Sequence, residues 1–143
     1  MKIQQISVFA ENRPGRIAAP ARLLAQEGID IRSLYLADTA QYGILRLIVS
    51  EWERAAALLE AHGLVAKVTE VLAVEVPNRP GGLADVLGAL DGTGINIEYM
   101  YAFPCLRGEA AILIFRFADV DAAITRLQTA GINLLASDEL LKK

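Results

Sequence analysis

Hydrophobic and polar residues recur along the chain with two different periods, and these periods follow each other in the same order twice. Alternation at every second position is typical of a half-buried strand, whereas apolar residues three or four positions apart indicate a helix. The first half predicts strands over residues 3–9, 29–37, 44–50 and 64–68, a helix from Ile17 that Gly28 ends, and a helix over 51–61. The second half predicts strands over 72–76, 95–103, 110–117 and 132–136, and helices over 83–90 and 119–130. Each half therefore has the order βαββαβ, the split-βαβ arrangement of ferredoxin-like folds.

Turns and connections complete this pattern. Residues 38–43 predict the turn of the first hairpin, and residues 104–108, which include Cys105, predict the turn of the second. The join between the halves, residues 67–76, has no Gly, Pro or Ser linker. We therefore expect the two sheets to pack against each other instead of moving freely.

A repeat in the sequence supports two copies of one domain. Asn12-Arg13-Pro14-Gly15 recurs as Asn78-Arg79-Pro80-Gly81, an offset of 66 residues between positions 12 and 78. We call these segments the first and second NRPG loops. Two copies are too few for a solenoid, so the sequence predicts domains over residues 1–69 and 70–143. Further matches at this offset are Val8 with Val74, Gly28-Ile29 with Gly94-Ile95, Ile31 with Ile97, Tyr35 with Tyr101, and Leu47-Ile48 with Leu113-Ile114.

The predicted chemistry centres on the NRPG loops, each between the first strand and first helix of its half. A helix N-terminus has unpaired N–H groups and partial positive charge, so it can receive a carboxylate. Glycine lets a ligand approach the backbone, proline sets the turn, and an asparagine oxygen can accept a bond from an α-ammonium group. The alternative is structural, because asparagine also caps helices well. The candidate ligand-binding residues are Asn12, Arg13, Pro14, Gly15, Arg16 and Ile17, and in the second half Asn78, Pro80, Gly81, Gly82 and Leu83.

A second candidate segment opens the second strand of each half. The segments read Gly28-Ile29-Asp30-Ile31 and Gly94-Ile95-Asn96-Ile97. Because side chains alternate across a strand, Asp30 and Asn96 are expected to point away from the core, near the NRPG loops. Either could accept a bond from an ammonium group, or simply face solvent. The candidate residues here are Asp30, Ile31, Asn96 and Ile97.

These segments resemble the ACT domain, the amino-acid-sensing module of many metabolic enzymes. The whole chain resembles a stand-alone tandem of two ACT domains, in which Tyr42–Arg46 and Ile97–Phe103 also look characteristic. The resemblance implies an α+β fold: two ferredoxin-like βαββαβ units packed as a continuous antiparallel sheet with helices on one side. It also implies ligands at the interface between units, beside the NRPG loops.

The resemblance also implies ligand positions. The serine-binding branch of the family has a histidine two residues before the loop asparagine, where this chain has Ala10 and Val76. The resemblance therefore does not extend to serine specificity. In that branch the ligand is held by two asparagines, whose positions fall here on Asn12 and Asp30 and on Asn78 and Asn96.

Composition narrows the function classes. The net charge of −3 gives no general attraction to nucleic acid or anionic membranes, and no uninterrupted apolar run approaches the ~18 residues of a membrane span. The N-terminus does not read as a signal peptide, and Cys105 is the single cysteine, so a cytoplasmic location is expected. No His, Cys or carboxylate cluster has metal-ligand spacing, and no phosphate-binding glycine loop occurs. We therefore expect no cofactor, no metal and no catalytic residue.

The leading hypothesis is a non-catalytic regulatory module that binds a free amino acid and signals in trans to a partner enzyme or regulator. The high apolar fraction, 54%, also predicts a homodimer. One alternative is a small acyl-phosphate hydrolase, which needs an arginine and an asparagine at the phosphate. Another is an RNA-binding sheet. The arginines that keep the first alternative open are Arg13, Arg16 and Arg79, and the sheet aromatics for the second are Tyr99, Tyr101 and Phe103.

Overall fold

The computed structural model describes residues 1–11, 13–38 and 42–141. The chain divides into two compact units, which are described separately below. The first unit is Gln4–Thr69, and the second unit is Glu70–Lys143 together with Met1–Ile3. That each half is a domain in its own right stays a prediction.

The first unit is an antiparallel sheet with helices on one face. In chain order its elements are β1 (Ile3–Glu11), α1 (Ala18–Gln26), β2 (Ile31–Asp38), β3 (Tyr42–Val49), α2 (Trp52–Ala61) and the start of β4 (Val65–Pro77). β3 lies between β1 and β2, antiparallel to both. The alternating residues Leu45 and Leu47 of β3 are buried with Leu24 of α1 and Leu59 of α2. The apolar stripes of two helices thus cover one side of the sheet, as their spacing predicts.

The second unit repeats this architecture. After β4 come α3 (Gly82–Gly88), β5 (Ile97–Arg107), β6 (Ala110–Phe117), α4 (Val120–Thr129), β7 (Leu134–Leu135) and α5 (Ser137–Leu141). β6 pairs antiparallel with both β4 and β5, and β7 pairs antiparallel with β4. Phe115 and Phe117 of β6 stack with ring centroids 5.5 Å apart and lie in one core with Val86 and Leu127 of the helices. The predicted βαββαβ order is confirmed in both units.

One strand serves both units. The sequence predicts two strands, over 64–68 and 72–76, but the structure has a single strand of 13 residues, Val65–Pro77. The intervening residues 69–71 contain no glycine or proline to break an extended backbone, and Val71 is fully buried. β4 is therefore the last strand of the first βαββαβ series and the first strand of the second.

The turn of the second hairpin lies later than predicted. β5 continues to Arg107, so Cys105 lies in the strand, and the turn is at residues 108–109. Pro104 does not end the strand, because the β5–β6 register is irregular between Phe103 and Leu106. Proline is tolerated at such an irregularity, where no ladder bond needs its missing N–H. The first predicted turn, over 38–43, includes residues 39–41, which lie outside the described residues.

The C-terminal part also differs from the prediction. Instead of a strand over 132–136, β7 has two residues, and the short helix α5 follows it. Ser137 and the acidic Asp138 and Glu139 form the first turn of α5, which is a usual helix start. Leu140 is 4% exposed, so this helix buries an apolar side chain.

Candidate functional site

The two NRPG loops have the same backbone turn wherever both are described. In the first loop, the N–H of Arg13 donates to the carbonyl of Glu11 at 2.9 Å. In the second, the N–H of Arg79 donates to the carbonyl of Pro77, also at 2.9 Å. The sequence repeat is therefore a repeat of local structure. Asn12 lies outside the described residues.

A glycine in the left-handed region ends each turn. Gly15 has φ +85° and Gly81 has φ +84°, a conformation that other residues adopt only with strain. Gly81 is the residue that caps α3, and as a glycine it has no side chain to bond the first N–H groups of this helix. Asn78 is exposed and does not cap α3, so the structural alternative does not explain this asparagine.

Gly82 has a structural role that differs from the predicted one. It is buried, and a Cβ at this position would overlap the carbonyl oxygen of Pro77. The close approach that glycine permits here is thus between α3 and the end of β4, not between backbone and ligand. The candidate residues beside it, Pro80, Gly81 and Leu83, are exposed.

The charged side chains at the first NRPG loop form ion pairs with one another. The Glu11 carboxylate lies 3.2 Å from Nε of Arg13 and 3.8 Å from Nη2 of Arg16. Pro14 is exposed, and Ile17 packs against the first unit's core. Arg16 stands where the second loop has Gly82, so the two loops differ chemically.

The second candidate segments have the predicted alternation. Asp30 and Asn96 are exposed, whereas Ile31 and Ile97 are partly buried and pack against the cores of their units. Asp30 Oδ2 lies 3.6 Å from Nε of Arg32. The isoleucines are therefore core residues.

A groove lies beside the second NRPG loop, within the second unit. Its volume is about 790 Å³, inside the range of roughly 300–1,000 Å³ that is usual for small-molecule sites. Four segments meet around it: the end of β4 with the loop, one side of α3, the β5–β6 turn, and the segment after α4. Lining residues that carry polar groups are Glu75, Asn78, Arg79, Asp85, Arg107, Glu109 and Asn133.

Both arginines of the groove are held in place by acids. Nη2 of Arg79 lies 2.7 Å from Oδ2 of Asp85, and its Nη1 donates to the Pro80 carbonyl at 3.2 Å. Nε of Arg107 lies 3.1 Å from Oε1 of Glu75. A guanidinium has five N–H donors, so each arginine can still donate to a ligand carboxylate.

Arg107 also binds the C-terminal helix. Its Nη1 donates to Oε2 of Glu139 at 2.7 Å, and Oε1 of Glu139 accepts from the N–H of Ala136 at 3.2 Å. The bond from Arg107, followed by the bond from the Ala136 backbone, lowers the pKa of Glu139 below its ordinary value. Arg107 therefore connects the groove with α5.

Among the predicted site residues of the second unit, the groove gathers Asn78 but not Asn96 or Ile97. Sequence reasoning missed Arg107, Glu109 and Asn133, which are distant in sequence from the loop. The strand register contains the signal that could have found them. Pro77 pairs with Ala110, and Val74 pairs with Leu134, so the β5–β6 turn and the start of β7 lie at the end of β4 that leads into the loop.

Val76 occupies the position where the serine-binding branch has histidine. It is 3% exposed and belongs to the second unit's core. The equivalent Ala10 is partly buried. The side chain at position 76 is therefore directed to packing and does not reach the groove as a ligand group.

Other residues considered from the sequence do not line the groove. The ring of His62 donates from Nδ1 to the Leu58 carbonyl at 3.0 Å, at the end of α2. Trp52 packs against the first unit's core, and Cys105 is an exposed free thiol. Tyr101 and Phe103 are 8% and 4% exposed, so they offer no open stacking surface to RNA bases.

Two kinds of feature are absent from the described residues. Within residues 1–11, 13–38 and 42–141, no three His, Cys, Asp or Glu side chains are grouped so that they could hold a metal ion. No helix in this same part of the chain combines the length and apolarity needed to cross a bilayer.

Comparison with known proteins assigns this architecture to a class. The chain thus combines a groove of ligand size beside a repeated turn with duplicated βαββαβ units. The family described as "ACT domain pair" matches residues 1–143. The chain therefore belongs to the ACT domain pair family, and with it to the class of regulatory ligand-binding modules.

Solved structures show the same fold. Protein BT0572 from Bacteroides thetaiotaomicron is 37% identical, with a TM-score of 0.92 over 100% of this chain and 98% of that one. The ligand-free regulatory subunit of aspartate kinase from Thermus thermophilus is 23% identical, with a TM-score of 0.63 over 89% and 91%. The corresponding subunit from Thermus flavus is 20% identical, with a TM-score of 0.59 over 90% and 92%. No curated protein matches the chain.

Proposed function

We propose that this protein is a non-catalytic regulatory module that binds a free amino acid in the groove of the second unit. The observation that carries the proposal is the presence of both charge signs beside the second NRPG loop. Arg79 and Arg107 have N–H groups for a carboxylate, while Asn78 and Glu109 offer oxygens to an ammonium group. A zwitterion of small size matches this set.

The family supports the regulatory part of the proposal. ACT domain pairs are regulatory modules, and regulatory subunits of aspartate kinase share the fold. We propose that the protein acts as a homodimer and signals to a partner enzyme or regulator. Ligand binding would then favour one conformation of the module, and the partner would distinguish the ligand-bound from the ligand-free conformation. A cytoplasmic location goes with this proposal, because the exposed thiol of Cys105 persists in a reducing compartment.

The first loop is proposed as the weaker site. Its candidates Arg13 and Arg16 share the carboxylate of Glu11, which competes with a ligand carboxylate. The pairing of both arginines with this one carboxylate also gives no support to the acyl-phosphate hydrolase alternative in the first unit.

A binding screen with two matched variants tests the proposal. Calorimetry and thermal shift with each of the twenty amino acids should find at least one that binds saturably. Asn78→Ala should weaken this binding about 10- to 100-fold, since a lost hydrogen bond to a charged group is worth roughly 1.5–3 kcal/mol. Asn96→Ala, an exposed asparagine outside the groove, is the control and should leave it unchanged.

The opposite pattern of mutational effects would locate the ligand outside the groove. If Asn96→Ala weakens binding and Asn78→Ala does not, the ligand lies at the start of β5, as the family resemblance implies. A wild-type protein that binds none of the amino acids would contradict the proposal as a whole.

A further inference from the structure

The guanidinium of Arg107 takes part in two structures of the second unit at once. It lines the groove, where its Nε lies 3.1 Å from Oε1 of Glu75, which is also a lining residue. Its Nη1 lies 2.7 Å from Oε2 of Glu139, which belongs to α5. One cation therefore faces one carboxylate in the groove and one carboxylate on the C-terminal helix.

The donors of Arg107 and its charge set different limits for a ligand. A guanidinium has five N–H groups, so the bonds to Glu75 and Glu139 leave donors for a third carboxylate. The charge leaves less room, because one positive charge would then face three negative ones. Like charges at such short distances repel each other. A ligand carboxylate at Arg107 thus competes with the two carboxylates that are already there.

Glu75 is the more firmly held of these two acids. It lies inside β4, opposite Ile112 of β6, and its N–H donates to the carbonyl of Asn133 at 3.0 Å. The side chain of Glu75 is 22% exposed, whereas that of Glu139 is 41% exposed. Glu139 lies on a helix of five residues, which is too short to be stable without contacts to other parts of the chain. Glu139 is therefore the acid that a ligand carboxylate displaces more easily.

Displacement of Glu139 would loosen α5. The contacts of this helix include the bond from Arg107, the bond from the Ala136 N–H to Oε1 of Glu139 at 3.2 Å, and the burial of Leu140. Because both bonds converge on one carboxylate, a movement of that carboxylate weakens both. Opening of the helix then exposes the apolar side chain of Leu140, and such a change from order to disorder is one that a partner protein can distinguish.

We propose that a ligand carboxylate bound at Arg107 displaces Glu139 and thereby releases α5. In the ligand-free protein α5 stays docked, and Glu139 lowers the affinity of the groove for its ligand. This inference rests on the proposed function, since it requires an amino acid in the groove, and it names the regulation of that site. Coupling between two sites is reciprocal, so opening of α5 strengthens ligand binding by the factor by which ligand binding favours the opening.

Binding affinity tests the competition at Arg107. Glu139→Gln keeps the shape of the side chain and removes its charge. It should bind the amino acid selected by the calorimetric screen about two- to fivefold more tightly than the wild type, the range expected for an exposed ion pair. Asp138→Asn is the matched control, because Asp138 is an exposed acid in the same turn of α5, whereas the ion pair with Arg107 is made by Glu139. This control removes the same charge and should leave the affinity nearly unchanged.

Hydrogen exchange tests the release of α5 in the wild type itself. The amide of Leu140 donates to the Ala136 carbonyl at the start of α5. At neutral pH, an excess of a pool of the twenty amino acids should accelerate exchange of this amide about two- to fivefold, as the reciprocal coupling requires. In Glu139→Gln the same pool should cause no acceleration, because the charge to be displaced is already absent. The reference is the amide of Ala55 in α2 of the first unit, which should not accelerate.

Contrary results separate this inference from the proposed function. If an amino acid binds, but Glu139→Gln binds it no more tightly than the wild type, the competition is refuted and the groove remains a binding site. Exchange at Leu140 that the bound amino acid slows or leaves unchanged would refute the release of α5 in the same way. If Glu139→Gln fails to fold by circular dichroism, exchange in the wild type decides. If none of the twenty amino acids binds, the proposed function and this inference both fail.

Discussion

Single residues account for the differences in local structure between the two NRPG loops. The second loop continues into Gly82, which lets α3 begin directly against the carbonyl of Pro77. The first loop has Arg16 where the second has Gly82, and Glu11 where the second has Pro77. The side chains of Arg16 and Glu11 form an ion pair. A duplicated sequence therefore gives one turn that is closely packed at Gly82 and one in which Glu11 and Arg16 form an ion pair.

Substitution of Gly82 measures this close packing. Gly82→Ala should destabilise the protein by about 1–3 kcal/mol, because the added methyl group meets backbone that cannot move aside easily. Gly88→Ala is a control in the same helix, where no atom lies within 4 Å of the added Cβ. It should be neutral or stabilise slightly, by up to roughly 1 kcal/mol. Urea unfolding measures both, and equal effects of the two variants would contradict this interpretation of Gly82.

At the scale of elements, short segments at the C-terminus depend on a few contacts. α5 has five residues, fewer than an isolated helix needs to be stable. Its contacts include the buried side chain of Leu140 and the bonds from Arg107 and the Ala136 N–H to Glu139. We therefore expect the opening of α5 to depend on the ionisation of one carboxylate.

The pH dependence of the stability of α5 follows from the direction in which the pKa of Glu139 is shifted. The pKa of Glu139 is lowered from 4.5 by Arg107 first and the Ala136 N–H second, so the unfolded state binds the proton more readily. The stabilisation is fully present above the ordinary value and is lost as pH falls through the lowered pKa of the folded state. The amide of Leu140 donates to the Ala136 carbonyl at 3.0 Å. Its hydrogen exchange, relative to the intrinsic rate, should accelerate severalfold as pH falls from the ordinary pKa of a glutamate through the lowered pKa of Glu139.

The variant Glu139→Gln is the control for this measurement. It cannot ionise, so exchange at Leu140 should be faster than in the wild type at neutral pH and should lose the acid-dependent step. Exchange that accelerates equally in both proteins on acidification would show that another group is responsible.

At the scale of the whole molecule, the sequence predicts the order of elements well because periodicity is a local property. It fails where neighbours in space decide the outcome. Pro104 alone indicates a turn, but an irregular edge register allows β5 to continue to Arg107. Residues 64–76 read as two strands, but residues 69–71 contain no glycine or proline to break an extended backbone, and Val71 is buried, so one strand runs through them.

In the candidate site, too, residues that are contiguous in the chain could be predicted from the sequence, and residues brought together by strand pairing could not. The repeat in the sequence identifies the NRPG loops and Asn78, which are contiguous in the chain. Arg107 and Asn133 reach the groove only through the pairing of β4 with β6 and β7, and pairing is not visible in single-residue patterns. Gly82 shows a related limit, since the sequence indicates a close approach but not which atom comes close.

The central claim is that the groove of the second unit binds a free amino acid, and amide chemical-shift mapping tests it most directly. Uniformly 15N-labelled protein is titrated with the amino acid that the binding screen selects, or with a pool of all twenty. We expect saturable shifts concentrated at Asn78, Arg79, Arg107, Gly131 and Asn133, with much smaller shifts at the first-loop residues Arg13 and Gly15. Spectra that no amino acid changes, or shifts that leave the groove residues unaffected, would contradict it.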